Sequence, residues 1–114
     1  MRNATECVYL ESMDAHEKKP RRMVDLKTRE VLECNDSAAA LWGYTPPEMV
    51  GMSSERLIHP DERERALAVR EEHVSGDAGT WKCMRKDGTM FFLHITVRRG
   101  MHEGRLCGFA EAAS

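Results

Sequence analysis

Long apolar runs are missing from this sequence. None approaches the roughly 20 residues that a membrane span needs, and the N-terminus lacks the apolar stretch of a signal peptide. Charged residues make up 32% of the 114 residues and hydrophobic residues 41%, which is the balance of an ordinary soluble domain. We therefore expect one cytoplasmic domain that makes no contact with a membrane.

An excess of basic charge is also missing. The formal net charge is -2, and basic side chains are interleaved with acidic ones, as in the run from Asp61 to Arg65. Proteins that bind nucleic acid usually present a basic stripe. We therefore expect no nucleic-acid partner.

Cysteines are few and widely separated. Cys7, Cys34, Cys83 and Cys107 include no C-x-x-C pair, which excludes a zinc ribbon and a thioredoxin-type site. In a reducing cytosol we expect free thiols that pack as small apolar groups.

Catalytic signatures are absent from the sequence. It contains no Ser-His-Asp order, no phosphate-binding glycine loop and no metal-ligand spacing. The acidic residues between positions 55 and 72 alternate with arginines at helical spacing, which is typical of a solvated, ion-paired helix face. The sequence therefore predicts neither an enzyme nor a metal site.

The first half of the chain shows a hairpin followed by short helices. Residues 1–21 are a charged segment with little periodicity, which we interpret as a lead-in to a domain over residues 22–114. Residues 23–26 and 31–34 predict a β-hairpin. Asn35 is placed to cap a helix that Gly43 ends, and Thr45 and Glu48 form a capping box for a second helix. Residues 53–58 predict a helical turn, and Pro60 begins the longest helix.

In the second half of the chain, apolar and polar residues alternate with a period of two, which is typical of β-strands. Residues 80–86, 90–99 and 106–110 predict three strands, joined by turns at 86–88 and 100–104. Helices between a leading hairpin and a closing meander predict an α+β fold, with one antiparallel sheet and the helices on one face. The apolar alternation of Phe91, Leu93, Ile95 and Val97 should face the helices.

Four motifs, in this order and spacing, resemble the signature motifs of PAS domains, and the resemblance runs from about Arg22 to Ala110. The motifs are Asn35 with Ala38, Ala39 and Leu41; Trp42-Gly43-Tyr44-Thr45 with Glu48-Met49-Val50-Gly51; His59-Pro60-Asp61; and Arg85-Lys86-Asp87-Gly88-Thr89.

The resemblance implies a five-stranded antiparallel sheet with a pocket between the sheet and the longest helix. PAS domains bind haem, flavin, small metabolites or nothing there, and they pass conformational changes to kinases, cyclases or transcription factors, usually as dimers. The family's Asp-Ile-Thr-like triplet after the last strand is replaced here by Ala112-Ala113-Ser114.

The resemblance does not assign a cofactor. The axial histidine of haem-binding relatives would fall near Arg65 and Ala66, where there is none, and we interpret His73 as a helix-terminal residue. The cysteine motif of light-sensing LOV domains is absent. Flavin binding without that cysteine stays open, because Trp42 and Trp81 could flank a ring system, although core packing is the preferred interpretation.

Strand parity and the resemblance together give a set of candidate site residues. Phe92, His94 and Phe109 have the outward parity and form the predicted dimer face. Phe92 and Phe109 should make a solvent-facing aromatic pair, which usually needs a cover. The predicted ligand-binding residues are Trp42, Leu57, Leu67, Trp81, Cys83, Leu93, Ile95, Leu106 and Gly108.

Three functions follow as hypotheses. The first is a sensor that binds a small ligand between sheet and helices and signals through a homodimer to a downstream domain or protein. The second is a ligand-free dimerisation scaffold. The third is a redox or gas sensor that carries flavin or haem.

Overall fold

The computed structural model describes residues 19–71 and 76–112. Most of the predicted lead-in, and also His73, lie outside these residues. The described elements are β1 (Arg21–Asp25), β2 (Val31–Cys34), α1 (Asp36–Trp42), α2 (Pro46–Met49), α3 (Arg63–Glu71), β3 (Gly76–Met84), β4 (Met90–His102) and β5 (Arg105–Ala112). Between α2 and α3 the chain forms two short 3₁₀ turns, Ser54–Leu57 and Pro60–Glu62.

The strands form one sheet in the order β2-β1-β5-β4-β3, and every neighbouring pair is antiparallel. The predicted α+β fold with a five-stranded antiparallel sheet is confirmed. The first and last strands lie side by side at the centre, where Arg21 pairs with Glu111. The central strand β5 therefore contacts both halves of the chain.

The β4–β5 turn is tighter than the predicted turn over residues 100–104. Strand β4 continues to His102, and Gly100 pairs with Cys107 inside the ladder. The turn consists of Glu103 and Gly104, with φ of 51° and 79°. Two successive positive φ angles match the twist of a hairpin, so the turn needs only these residues.

Helix α1 is held at its start by a buried asparagine. Asn35 is 2% exposed, and its Oδ1 accepts the N–H groups of Ala38 at 3.0 Å and Arg21 at 3.1 Å. Its Nδ2 donates to the carbonyl of Lys19 at 2.8 Å. One side chain thus caps the helix and joins it to β1, as N-cap chemistry favours.

The Arg85-Lys86 motif meets the other end of α1. Arg85 Nε donates to the carbonyl of Leu41 at 3.2 Å, and the N–H of Lys86 donates to the carbonyl of Trp42 at 2.9 Å. The last carbonyls of a helix have no partner inside it. The loop between β3 and β4 therefore ends the helix and fixes it against the sheet.

The predicted longest helix begins later than expected. Pro60 starts a 3₁₀ turn, and α3 follows from Arg63. His59 caps the turn, since its Nδ1 accepts the N–H of Asp61 at 3.1 Å. No helix in the described residues is long and apolar enough to cross a membrane.

The sheet packs on both faces. The face toward the helices carries the larger core, which includes Trp42, Leu57, Trp81, Cys83 and Ile95. A smaller cluster lies on the opposite face and is formed by Met23, Cys107 and Phe109 with Leu32 against them. The larger core, on the helical face, is incomplete and leaves a cavity.

Candidate ligand-binding cavity

The central strand creates a hollow beneath the helices because its inward side chains are small. Gly108 lies between Val24 of β1 and Arg99 of β4, and Ala110 lies between Arg22 and Val97 in the same way. The neighbouring strands carry longer side chains at these positions. A floor of glycine and alanine between taller walls leaves space that the helices do not fill.

A cavity of about 150 Å³ occupies this space. Its floor and walls come from β1, β3, β4, β5, the β1–β2 turn, the 3₁₀ segment and α3. The lining residues are Arg22, Val24, Asp25, Leu26, Arg29, Ser54, Glu55, Ile58, Ala66, Leu67, Ala78, Trp81, Ile95, Val97, Arg99, Gly108 and Ala110.

Gly108 keeps the floor low. A Cβ atom at this position would lie 3.1 Å from Leu26 Cδ2 and 3.7 Å from Val97 Cγ1. The first distance is closer than ordinary van der Waals contact, so a side chain would displace Leu26 from the cavity wall. A strand glycine of this kind marks a close approach.

Charged groups line part of the wall. Arg22 and Arg99 share the inward parity of Ala110 and Gly108, and Arg29 forms an ion pair with Glu55 beside the cavity. Asp25 has the outward parity of its partner Cys107, so its carboxylate points away from the helices. The inward charges are therefore mainly positive.

Asp25 is buried but well supplied with partners. Its Oδ1 accepts the N–H groups of Thr28 at 3.1 Å and Lys27 at 2.8 Å, and Arg105 lies 3.4 Å from Oδ2. The N–H of Thr28 contributes most to lowering the pKa of this carboxyl below its usual 3.8, against the opposing effect of burial. Asp25 thus stays ionised and organises the β1–β2 turn.

A guanidinium clamp fixes the wall that contains Trp81. Arg65 of α3 lies over the Trp81 ring with Cζ 4.1 Å from its centroid, and Nη1 donates to the carbonyl of Thr80 at 2.7 Å. The indole N–H of Trp81 donates to the carbonyl of Ala78 at 2.9 Å. A cation over an aromatic face is attractive, so the clamp holds α3 to β3 and orients the indole.

Gly79 makes room for this clamp. A Cβ atom there would lie 2.6 Å from Arg65 Nη2, and its φ is 88°. Glu62 Oε2 also accepts the backbone N–H of Lys82 at 2.9 Å. The start of α3 is therefore joined to β3 by two side chains.

The structure places four of the nine predicted ligand-binding residues in the lining: Leu67, Trp81, Ile95 and Gly108. Trp42, Leu57 and Cys83 are fully buried in the core instead. Leu93 is partly buried and packs against that core. Leu106 is 43% exposed and pairs with the equally exposed Met101 at the end of the hairpin.

Cys83 has the inward parity that suggested a binding role, but its thiol is packed into the core. Burial raises the pKa of this thiol to about 11, so the reactive thiolate is scarce at neutral pH. Cys34, Cys83 and Cys107 are free thiols, whereas Cys7, for which the same was predicted, lies outside the described residues.

Sequence reasoning missed the arginines of the wall. Arg99 is the last residue of the predicted strand 90–99 and continues the inward alternation of Ile95 and Val97, so parity already placed it on the inward face. Arg22 stood at the predicted domain boundary, one residue before the predicted strand. Strand parity followed to the end of one strand and extended by one residue in the other would have found both.

The predicted outer face is divided between two environments. Phe92 is 70% exposed. His94 lies between Asp77, 2.7 Å from Nε2, and Thr80, 3.2 Å from Nδ1. Phe109 is on the same face of the sheet, but it is only 2% exposed and packs with Met23 and Cys107. The expectation that Phe109 faces solvent beside Phe92 is wrong.

Phe109 and Phe92 are also far apart. Phe109 lies opposite Arg98 of β4, and the distance along β4 from that position to Phe92 is roughly 20 Å at about 3.3 Å per residue. Each strand presents a new outward side chain at every second residue, so parity alone cannot show whether two such residues are neighbours. The two rings therefore belong to different parts of the face.

The cavity does not fit the larger cofactors considered from the sequence. It is smaller than the roughly 300–1,000 Å³ of typical ligand sites, and its lining contains no histidine or cysteine. Across residues 19–71 and 76–112, no group of three histidine, cysteine, aspartate or glutamate side chains could hold a metal ion. A ligand of this site would be small.

A family model described as the PAS domain matches residues 23–112. The chain belongs to the PAS domain family. The match covers all five strands except the first two residues of β1, together with the whole helical layer. PAS domains are generally sensory modules rather than enzymes, and the cavity lies between sheet and helices, where the resemblance predicted it.

Other PAS proteins are similar to this chain. A PAS domain-containing serine/threonine-protein kinase of Mus musculus is 37% identical over 54 residues, which are 47% of this chain and 4% of that protein. The chain thus spans a small part of this relative.

Solved structures share the fold at low identity. The PAS domain of a Desulfitobacterium hafniense protein has a TM-score of 0.74 at 17% identity, over 88% of this chain and 95% of that one. A domain of a sensory box sensor histidine kinase/response regulator from Geobacter sulfurreducens has a TM-score of 0.69 at 16% identity, over 93% and 92% of the two chains.

Proposed function

We propose that this PAS domain is a cytoplasmic sensor that binds a small molecule in the cavity and transmits the binding event through a homodimer to an output domain or partner protein. The observation that carries the proposal is the cavity itself. Its floor is made of the smallest residues of the central strand, and its wall contains inward arginines. A domain that served only as a scaffold would gain stability by filling this space.

The size of the cavity limits the ligand. A volume of 150 Å³ equals about five water molecules at roughly 30 Å³ each, or a single aromatic ring with few substituents. The walls supply both apolar surface, from Trp81, Ile95 and Leu67, and guanidinium groups. Such a mixture favours a ligand with an apolar body and a polar end.

The floor also supports a route for the signal. Strand β5 carries Gly108 and Ala110 under the cavity, and Glu111 follows directly. The carboxylate of Glu111 contacts Arg21 Nε at 2.6 Å and Lys19 Nζ at 3.1 Å. A ligand that presses on the floor would alter this junction between the first and last strands.

Kinases are the output class that the relatives favour. The mouse relative is a serine/threonine-protein kinase, and the Geobacter structure comes from a sensor histidine kinase/response regulator. A histidine kinase, cyclase or transcription regulator would each suit a domain whose activity is binding. Of these, we propose a kinase as the output domain or partner protein.

Two variants of α3 test the cavity as the binding site. Ala66 lines the cavity, whereas Ala68 is exposed on the same helix. We expect the native protein to carry a small molecule in native mass spectrometry, Ala66→Leu to lose it, and Ala68→Leu to keep it. Equal retention by both variants, or an empty native protein with no thermal shift across a metabolite panel, would contradict the proposal.

A second function, as a dimerisation scaffold, is favoured by the exposed outer face. Phe92 is 70% exposed and Met90, with the same parity, is 50% exposed. Exposed apolar side chains that adjoin one another can mark an interaction surface. We expect Phe92→Asp to convert a dimer into a monomer in sedimentation velocity, while Leu106→Asp, at an exposed residue of the opposite parity, leaves the dimer intact. A native protein that is monomeric at high concentration would remove this function.

A further inference from the structure

We propose that the polar end of the ligand is an uncharged group that both donates and accepts hydrogen bonds, such as a carboxamide on a single ring, and that Arg29 and Glu55 bind it at the rim of the cavity. This inference rests on the proposed function, since it names the ligand class of the same cavity. Three features of the rim support it: the backbone conformation of Arg29, the position of the ion pair, and its balanced charge.

The rim is formed where two turns meet. Arg29 belongs to the β1–β2 turn, and Ser54 and Glu55 belong to the first 3₁₀ turn. The N–H of Ser54 donates to the carbonyl of Arg29 at 2.8 Å, and Glu30 forms a β-bridge with Ser53. Arg29, Ser54 and Glu55 all line the cavity. The backbone hydrogen bonds therefore hold three polar side chains together on one part of the wall.

Arg29 has a backbone conformation that arginine rarely adopts. Its φ is 70°, in the left-handed region that glycine tolerates far better. The N–H of Arg29 donates to the carbonyl of Asp25 at 2.7 Å, which helps to hold the residue in this conformation. Glycine would fit the turn with less strain, so the turn itself does not require arginine. Sparsely populated conformations of this kind cluster at functional sites, and the Arg29 side chain lies on the cavity wall.

The Arg29 side chain pairs with a carboxylate of the other turn. Its Nη1 donates to Oε1 of Glu55, and the two side chains are 42% and 35% exposed. Both residues line the cavity and also reach solvent, so the pair lies at the boundary between the two. A guanidinium has several N–H donors, and a carboxylate has two acceptor oxygens. The pair can therefore donate to and accept from a polar group that lies beside it.

The pair presents both charges side by side. An anion that binds Arg29 also meets the carboxylate of Glu55, and a cation that binds Glu55 also meets the guanidinium. A carboxamide meets neither repulsion, because its oxygen accepts from Arg29 and its NH₂ group donates to Glu55. Arg22 and Arg99 are not assigned to this subsite, since the Arg22 guanidinium lies over Trp42 and Arg99 has other interactions within the chain.

The deeper lining suits the ring of the ligand. Trp81, Ile95 and Ala78 line the cavity and are at most 9% exposed. A cavity of 150 Å³ is the size that holds about one benzene ring. A polar group buried among these apolar side chains would lose its hydrogen bonds to water. The ring should therefore lie inside the cavity, with the polar group beside Arg29 and Glu55.

Three probes separate the charge, the polar group and the ring. Benzamide has the uncharged polar group, benzoate has nearly the same shape with a negative charge, and toluene has neither. Titration followed by the indole ¹H–¹⁵N resonances gives the site as well as the affinity, since Trp81 lines the cavity and Trp42 does not. We expect benzamide to shift the Trp81 resonance and to bind about tenfold or more tightly than benzoate, because Glu55 repels a second carboxylate.

Two glutamates provide a matched pair of variants. Glu55 and Glu48 both form solvent-accessible ion pairs, with Arg29 and Lys86, but only Glu55 lines the cavity. Glu55→Gln keeps the shape of the side chain and removes the repelling charge, so we expect the preference for benzamide over benzoate to fall about tenfold. Glu48→Gln should leave that preference unchanged, and toluene should bind equally to all three proteins.

Replacement of Arg29 separates binding from stability. Arg29→Gly removes the guanidinium and relieves the positive φ, so we expect benzamide to bind about tenfold more weakly while the urea midpoint of unfolding is unchanged or raised. Arg56→Gly is the control, since Arg56 is exposed on the 3₁₀ turn of Glu55 and does not line the cavity; it should leave benzamide binding unchanged. If Arg29 only supported the turn, Arg29→Gly would lower the midpoint and leave the ratio of benzamide to toluene affinity unchanged.

The outcomes distinguish this inference from the proposed function. Benzoate binding as tight as benzamide binding, or equal effects of Glu55→Gln and Glu48→Gln, would overturn the assignment of the rim while the cavity remained a binding site. Binding of none of the probes would also overturn it, and a co-purified molecule lost only in Ala66→Leu would then keep the proposed function. The comparison of probes uses the unmodified protein, so the inference stays testable even if a variant fails to fold.

Discussion

The two tryptophans of this domain have nearly the same contacts but different positions relative to the cavity. Each ring lies under a guanidinium, that of Arg22 over Trp42 and that of Arg65 over Trp81. Each indole N–H donates to a backbone carbonyl, at 2.8 Å and 2.9 Å. Yet Trp42 is sealed in the core and Trp81 forms a wall of the cavity.

The difference arises from what lies across from each ring. Trp42 projects from α1 onto well-packed neighbours, including Phe91, whose ring centroid is 5.5 Å away. Trp81 projects from β3 toward the glycine and alanine floor of β5. The same side chain with the same kinds of partner is therefore part of the closed core at one position and of a cavity wall at the other, and the size of the facing residues decides which.

Replacement of each tryptophan by alanine should give the largest difference in the free energy of unfolding. Trp42→Ala leaves a sealed void and should lower the free energy of unfolding by about 3–5 kcal/mol. Trp81→Ala enlarges a space that already exists, so we expect mainly the loss of buried apolar area, about 2–3 kcal/mol. Urea denaturation followed by circular dichroism measures both values. A larger loss for Trp81→Ala would show that the Trp81 wall, and not the Trp42 core, supports the fold.

Substitution of Asn35 should give the next largest loss of unfolding free energy. We expect it to alter the surroundings of Trp42 and not those of Trp81. Asn35→Ala removes the cap of α1 and the hydrogen bonds to Arg21 and Lys19, which should cost about 2 kcal/mol because the site is buried. We expect the Trp42 indole resonance to move and the Trp81 resonance to remain. Thr45→Ala, in the exposed capping box of α2, is the control and should cost less, about 0.5–1 kcal/mol.

A pair of glycines tests the clamp on Trp81. Gly79 and Gly76 both have positive φ, 88° and 97°, but only Gly79 faces Arg65, since nothing lies within 4 Å of a Cβ at Gly76. Substitution by alanine strains the backbone equally at both positions, by about 1–2 kcal/mol. Gly79→Ala should cost about 1 kcal/mol more, because Arg65 loses its cation–π contact. Identical unfolding energies for the two variants would mean that Arg65 does not hold α3 to β3.

Much of this architecture could be predicted from local sequence signals. Caps such as Asn35 and the Thr45–Glu48 box depend on neighbouring residues, and strand parity correctly placed Trp81, Ile95 and Gly108 around one space. The signals fail where the outcome depends on distant partners. Trp42 was assigned to the ligand because its ring could flank a ring system, and Phe109 was assigned to the solvent because of its strand parity. Both residues are buried, since burial depends on which other elements cover a face.

The smallest expected change in the free energy of unfolding is at Asp25, which borders the cavity and contacts neither tryptophan. The N–H groups of Thr28 and Lys27 and the charge of Arg105 hold the pKa of its carboxyl below the usual 3.8. The unfolded chain therefore binds this proton more readily, and the stabilisation that is present above the usual pKa is lost as the pH falls through the folded-state pKa. We expect Asp25→Asn to make the unfolding free energy less dependent on pH below about 4, measured by urea denaturation across a pH series. The Trp81 resonance should stay constant through the native part of that series, because the Asp25 carboxylate points away from the helices; a shift that follows the titration of Asp25 would instead couple the β1–β2 turn to the cavity wall.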